Sequence, residues 1–278
     1  MLDILLAYAS LIYPPPGSHH KPVSAKSIVI AGNSAGANLG IALTRVLLEF
    51  SRETGQQGPK ILFHGQCVQL HLPAGVAVFS GWCDQCDVLP SWYEKGEHDI
   101  LVQVQPALMP EYPADEIWPS NPPREHPYCA GSTLDHELVS PVAVGDWSGA
   151  PPMWFACGTE DRCLDGNRMI ASQAARCGVP VLWNEYEGMP HEFAVLLGKL
   201  PQSKHCFASC AAACKAFGEG KPISSRSLRM KMPACEDIDL GDVAALAPLP
   251  LNEVKRRMRE RTRHIPVWTG TRSLKSRI

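Results

Sequence analysis

The sequence predicts an α/β fold, a mostly parallel sheet flanked by helices. Three observations predict it. Short apolar runs at 28–31, 76–80, 153–157 and 179–186 alternate with stretches of helical period. The first run ends in Gly32-Asn33-Ser34-Ala35-Gly36, a Gly-x-Ser-x-Gly turn between a strand and a helix. Asp161 and His191 then follow in that order, each just beyond the end of a later run.

The chain has 278 residues and a formal net charge of −2, enough for one sizeable core. A charge so near zero argues against bulk nucleic-acid binding. No stretch reaches the ~18 apolar residues that a membrane span needs. Residues 1–13 are apolar but interrupted by Asp3, with no basic n-region and no small-residue cleavage site. They are read as a helix rather than a signal peptide, with Leu2, Leu5, Leu6 and Leu11 as its buried stripe. Pro14-Pro15-Pro16-Gly17 ends it. His19 and His20 fall in a polar loop and are expected to face solvent.

The run at 28–31 is a strand, and Leu39, Leu43, Val46, Leu47 and Phe50 recur at helical spacing after it. Between them the turn holds Ser34 in a strained conformation. Gly32 and Gly36 are expected to let strand and helix approach closely. The backbone N–H of Ala35 is the expected oxyanion donor. A polar loop spans 51–60, and a second strand, 76–80, runs into Gly81-Trp82-Cys83-Asp84. The stretch 88–124, rich in Pro, Trp and acids, is read as an insertion over the top of the sheet, where substrate contacts are expected. A third strand at 153–157 ends in Gly158-Thr159-Glu160-Asp161. The next helix turns Met169, Ile170, Ala174 and Cys177 inward and stops at Gly178. A fourth strand, 179–186, leads to Gly188-Met189-Pro190-His191, and a helix over 202–217 is expected to close the domain.

The eleven cysteines are irregularly spaced and are read as mostly reduced thiols of a cytoplasmic protein. Cys83-x-x-Cys86 has metal-binding spacing, but no second pair accompanies it, so no zinc site is expected. Cys206, Cys210 and Cys214 recur every four residues and share one helix face as small buried groups. Beyond Gly220 proline and charge dominate. Lys255, Arg256, Arg257, Arg259, Arg261 and Arg263, with Arg272, Lys275 and Arg277, are read as a solvated helix and a mobile tail.

The ends of parallel strands share one sheet edge, so Ser34, Asp161 and His191 can converge there. A serine hydroxyl is a weak nucleophile at neutral pH. His191 would remove its proton and return it to the leaving alcohol, and an acid would orient the imidazole. Asp161 fills that role, with Asp165 and Glu160 as open alternatives.

These motifs, with Ser80-Gly81-Trp82, Ser140-Pro141, Gly158-x-x-Asp161-x-x-x-Asp165 and Gly188-Met189-Pro190-His191-Glu192-Phe193, resemble the hormone-sensitive-lipase-like esterases, the α/β-hydrolase fold-3 group. The resemblance covers roughly residues 1–217. It implies an α/β-hydrolase fold over 1–219 with a cap-like insertion at 84–130, and leaves 220–278 as a polar, basic tail. It puts the nucleophile, acid and base on Ser34, Asp161 and His191, favouring Asp161 over Asp165. It implies a serine esterase that hydrolyses small carboxylic esters through an acyl-enzyme, with no cofactor and no metal.

The family's His-Gly-Gly-Gly loop and its first strands have no counterpart here. The expectation is an N-terminally shortened esterase, one starting at an internal methionine, whose first sheet strands are missing. Loss of one oxyanion donor costs roughly 3–4 kcal/mol of transition-state stabilisation. The strand at 28–31 then becomes an exposed edge through which a homo-oligomer could form. The competing readings are a non-catalytic small-molecule binder and an inactive fragment on the same fold.

Overall fold

The computed structural model describes residues 2–54, 58–103, 115–116, 118, 125–126 and 128–265. In chain order its elements are α1 (Leu2–Ile12), β1 (Val29–Asn33), α2 (Ser34–Thr54), β2 (Lys60–Phe63), β3 (Gln66–Gln69), β4 (Gly75–Phe79) and α3 (Pro90–Glu94). There follow β5 (Met153–Gly158), α4 (Leu164–Arg176), β6 (Val181–Tyr186), α5 (Phe193–Leu196), α6 (Pro201–Gly218), β7 (Arg226–Lys231), β8 (Glu236–Asp239) and α7 (Leu251–Thr262).

Among the described residues the main sheet has six strands in the order β1-β4-β5-β6-β7-β8. The first five run parallel and β8 is antiparallel to β7. The fold is therefore the expected mostly parallel sheet flanked by helices. β5 and β6 lie in its centre and are buried along their whole length, as strands covered on both faces are. One face packs against α2, α4 and α7 around Trp147, Phe155 and Trp183. The other packs against α6 around Trp154, Tyr186 and Phe193. Parallel strands deliver their carboxyl ends to a single edge, which is where the loops after β1, β5 and β6 meet.

Several expectations change. The buried residues of α1 are Tyr8, Ala9 and Ile12, whereas Leu2, Leu6 and Leu11 are exposed. The helix rotates so that Tyr8 can donate to the His71 carbonyl at 2.7 Å. The stretch expected as a polar loop at 51–60 holds the end of α2 and the start of an antiparallel hairpin, β2–β3. α6 does not close the fold. β7 pairs with β6 and extends the sheet, and α7 buries Val254 and Met258. Residues 226–262 are thus part of the packed body and not a tail. The basic residues of α7 are largely paired, Arg256 with Glu253 and Glu260, Arg257 with Glu253, and Lys255 with Glu137. Arg272, Lys275 and Arg277 lie outside the described residues, as do 104–114, 117, 119–124 and 127 of the cap-like insertion.

Candidate active site

Each candidate residue sits where a local rule puts it. Ser34 is the first residue of α2, directly after β1, and its φ is 48°. That left-handed conformation is uncommon for a residue with a side chain and costs on the order of 1–3 kcal/mol. The sharp turn brings the backbone at 32 against the backbone at 36. A Cβ on Gly32 would lie 2.5 Å from the Gly36 carbonyl carbon, so only glycine fits at 32. The same need does not arise at Gly36, where an added Cβ meets only Asn33 Oδ1 at 3.9 Å. The close approach belongs to Gly32 alone.

The loop after β5 carries Asp161 and the loop after β6 carries His191. A Cβ on Gly158 would lie 1.8 Å from the Met189 carbonyl oxygen, so the glycine ending β5 lets the two loops touch. His191 Nδ1–H donates to Asp161 Oδ1 at 3.0 Å, and the Ser34 hydroxyl donates to His191 Nε2 at 2.9 Å. Asp161 also accepts from the Cys163 N–H at 2.8 Å and from the Cys157 thiol at 3.2 Å. The structure therefore brings Ser34, His191 and Asp161 into one hydrogen-bonded line. Asp165 is engaged elsewhere, accepting from the Ser91 N–H at 2.9 Å and from Arg168 at 3.3 Å. Glu160 contacts Thr159 at 3.5 Å.

Asp161 and His191 are both buried. Burial alone would push the Asp161 carboxyl up, but His191 and the surrounding hydrogen bonds hold it below the usual carboxylate range. Burial alone would likewise depress the imidazole, and Asp161, then Asp99 and Glu192, outweigh it and raise the His191 pKa. Ser34 is half-buried and Ala35 exposed. Asp161, Cys163 and His191 also place potential ligand atoms within 4.8 Å of one another. Both imidazole nitrogens are already committed to Asp161 and Ser34, and burial and Asp161 keep the Cys163 thiol protonated. The Cys83 and Cys86 thiols are likewise buried and pushed up.

Three supports were not foreseen. The Asn33 side-chain amide donates to Glu192 at 2.8 Å, tying the turn to the histidine loop. The Trp82 N–H donates to the Ser34 carbonyl at 3.0 Å, and the Asn38 amide to the Trp82 carbonyl at 2.9 Å. Asp99, in the insertion, accepts from the His191 N–H at 2.9 Å. Asn33 and Trp82 fall inside the motifs read from the sequence, and the signal for them was adjacency to Ser34 and Ser80. Asp99 carries no local signal.

A family model described as alpha/beta hydrolase fold matches residues 3–195. The chain is 27% identical over 222 residues to an acetyl-hydrolase of Streptomyces hygroscopicus, covering 78% of this chain and 60% of that protein. It is 26% identical over 191 residues to an esterase of Acinetobacter venetianus, covering 68% and 52%. The chain thus spans between half and two thirds of the length of these curated relatives. Among solved structures, that of EstE5-PMSF superposes with a TM-score of 0.50 at 20% identity, covering 70% of this chain and 55% of that one. A hormone-sensitive lipase from a metagenome library gives 0.49 at 24% identity, with the same coverages.

Proposed function

The chain belongs to the alpha/beta hydrolase fold family, and on that premise we propose that it is a serine esterase acting on small, uncharged carboxylic esters. The observation that carries the reading is the line from Ser34 Oγ through His191 to Asp161, at 2.9 and 3.0 Å, with Ser34 raised on a strained turn. The names of the relatives, an esterase and an acetyl-hydrolase, favour a short acyl group.

In this mechanism His191 Nε2 takes the Ser34 proton as Oγ attacks the ester carbonyl carbon. The oxyanion that forms accepts from the Ala35 N–H. The C–O bond to the alcohol breaks, and His191 returns its proton to the leaving oxygen. Water, deprotonated by the same nitrogen, then cleaves the acyl-enzyme to the acid and regenerates Ser34. Asp161 holds the tautomer with the proton on Nδ1 and stabilises the transient imidazolium. No step requires a cofactor or a metal. The base acts only when neutral, so with its pKa raised, activity falls with decreasing pH along a limb lying above the ordinary imidazole value of ~6.5. We further place the chain in the cytoplasm, supported by irregularly spaced cysteines held as buried thiols, among them Cys83, Cys157 and Cys163. No helix among the described residues is long and apolar enough to cross a membrane.

The test is labelling with a fluorophosphonate probe and localisation of the adduct by peptide mass, alongside Ser34→Ala. An adduct on Ser34 that is absent from Ser34→Ala, with turnover of p-nitrophenyl acetate exceeding that of longer acyl esters, is the expected result. A cooperatively folded protein that takes no label overturns the esterase and leaves a binding protein on the same fold.

A further inference from the structure

Asp99 lies in the insertion between β4 and β5, 62 positions before Asp161 in the chain and 92 before His191. Its carboxylate nevertheless meets both of their loops. Oδ1 accepts from the backbone N–H of His191 at 2.9 Å, and Oδ2 accepts from the backbone N–H of Arg162 at 2.7 Å. Oδ1 also accepts from the Ile100 N–H at 2.7 Å. Arg162 directly follows Asp161, so one carboxylate bridges the residue after the acid and the base itself. The contact is reciprocated. The Arg162 guanidinium donates to the Leu101 carbonyl at 2.9 Å and to the Trp92 carbonyl, and sits 5.9 Å from the Trp92 ring centroid. Ser91 completes the attachment by donating to the Arg162 carbonyl at 2.7 Å. The segment 91–101 is therefore fastened to the acid loop through Ser91, Trp92, Asp99 and Leu101, and to the histidine loop through Asp99.

This arrangement is not needed to satisfy a stray donor. A water could take either N–H. A single carboxylate that takes both sets the distance between two loops whose side chains must stay about 3 Å apart for catalysis. Hydrogen bonds to an ionised acceptor are also the short, strong kind. From this geometry we infer that Asp99 is a positioning residue for the His191–Asp161 pair, acting by clamping the two loops and by placing a negative charge beside the imidazole. The inference rests on the esterase reading and extends it: part of the base's alignment is supplied by the insertion, not by the sheet.

The charged groups around His191 are Asp161 and Asp99, with Glu192 next in the chain, and the Cys163 thiol nearby stays protonated. All three carboxylates favour the imidazolium. Asp99→Asn keeps the size of the side chain and one acceptor, but removes the charge and sets an NH2 group against either the Arg162 N–H or the N–H groups of His191 and Ile100. The experiment measures the rate of fluorophosphonate labelling of Ser34 as a function of pH in the wild type, Asp99→Asn and Asp99→Ala, with urea unfolding of each. In parallel, the His191 imidazole is titrated by NMR, its signal assigned by loss in His191→Ala.

Expected for Asp99→Asn is a labelling rate on the plateau reduced about tenfold or more, with the acid limb displaced to lower pH. The His191 titration should move by the same amount under conditions where the variant is fully folded. A plateau rate and a limb matching the wild type overturn the inference. So does a lower rate with an unmoved limb and an unmoved titration, which is what a merely structural contact would give. If the wild type takes no label at any pH, the esterase reading fails separately. The NMR titration then decides the inference: an imidazole pKa unchanged in Asp99→Asn overturns the influence of Asp99 on the base, and a lowered one sustains it.

Discussion

Ser34 concentrates two opposing demands at one position. Its hydroxyl meets His191 only because the backbone turns sharply at φ 48°, and that conformation carries a cost that any side chain bears and glycine does not. The consequence is measurable. Ser34→Gly should be more stable to urea than Ser34→Ala by about 1 kcal/mol, because only glycine relaxes the strain while both remove the hydroxyl. Equal unfolding midpoints for the two variants would show that the turn is unstrained. Glu192, with φ 53°, and Ser80, with φ 45°, occupy the same backbone region at the same sheet edge. The Glu192 N–H donates to Ser80 Oγ at 3.3 Å. Left-handed residues with side chains thus cluster at the carboxyl ends of β1, β4 and β6, where the loops must leave the sheet abruptly to bring three distant side chains together.

At the scale of elements, the C-terminal strands and helix show how charge can disguise burial. β7 reads Arg226-Ser227-Leu228-Arg229-Met230-Lys231, and only Ser227 and Met230 are fully buried. Besides its backbone pairing with β6, it is held by Glu185 of that strand, which has no solvent exposure and accepts from Arg229 at 2.9 and 3.0 Å and from Arg168 of α4 at 2.7 and 2.9 Å. The Trp183 indole adds a donor at 3.1 Å. A buried carboxylate with two guanidinium partners tolerates loss of one partner poorly. α7 is anchored differently, through Val254 and Met258 packed against the central core. Met258→Ala should therefore cost about 2–4 kcal/mol of unfolding free energy, read by urea denaturation. A solvated helix at the end of a tail would lose almost nothing, and a change below about 0.5 kcal/mol would restore the tail.

The whole molecule carries a pH dependence of stability that originates outside the line of Ser34, His191 and Asp161. Asp87 lies at the start of the insertion, its Oδ1 buried without a hydrogen-bond partner, and burial together with neighbouring Asp84 pushes its carboxyl up to about 8. In the unfolded chain the same group titrates near ~3.9. Between those values the folded state holds a proton that the unfolded state has lost, so Asp87 makes stability fall as pH rises from about 4 to about 8. Asp87→Asn removes that dependence. It should stabilise the protein by a few kcal/mol at pH 8 and by nothing at pH 4, as seen in thermal unfolding across that range. Asparagine also accepts the left-handed backbone at this position, where φ is 54°. A gain independent of pH would show that the carboxyl is not protonated in the fold. At the far side of the sheet, β1 pairs only with β4 among the described residues. The strand carrying the turn to Ser34 is thus also the sheet's edge.

The sequence by itself determined the parts whose cause is local. A β-branched run followed by glycine, serine and glycine can do little but turn from strand to helix. That Ser34, Asp161 and His191, after β1, β5 and β6, share one sheet edge follows from parallel connections, and Gly178, at φ 77°, stops α4 as its freedom predicts. Tertiary structure decided whatever depends on partners distant in the chain. It set Asp161 against the His191 imidazole, while Asp165 is held by Ser91 and Arg168 and Glu160 contacts Thr159. It rotated α1 to bury Tyr8 and Ile12, since the apolar face of a mostly apolar helix is set by its neighbours. It drew a charged C-terminal strand and helix into the core, because Glu185 and the central cluster supply partners that no hydropathy pattern within 220–262 reveals. It placed Asp99 across the Asp161 and His191 loops for the same reason: a hydrogen bond spanning 92 positions leaves no periodicity in the chain for a reader of the sequence to find.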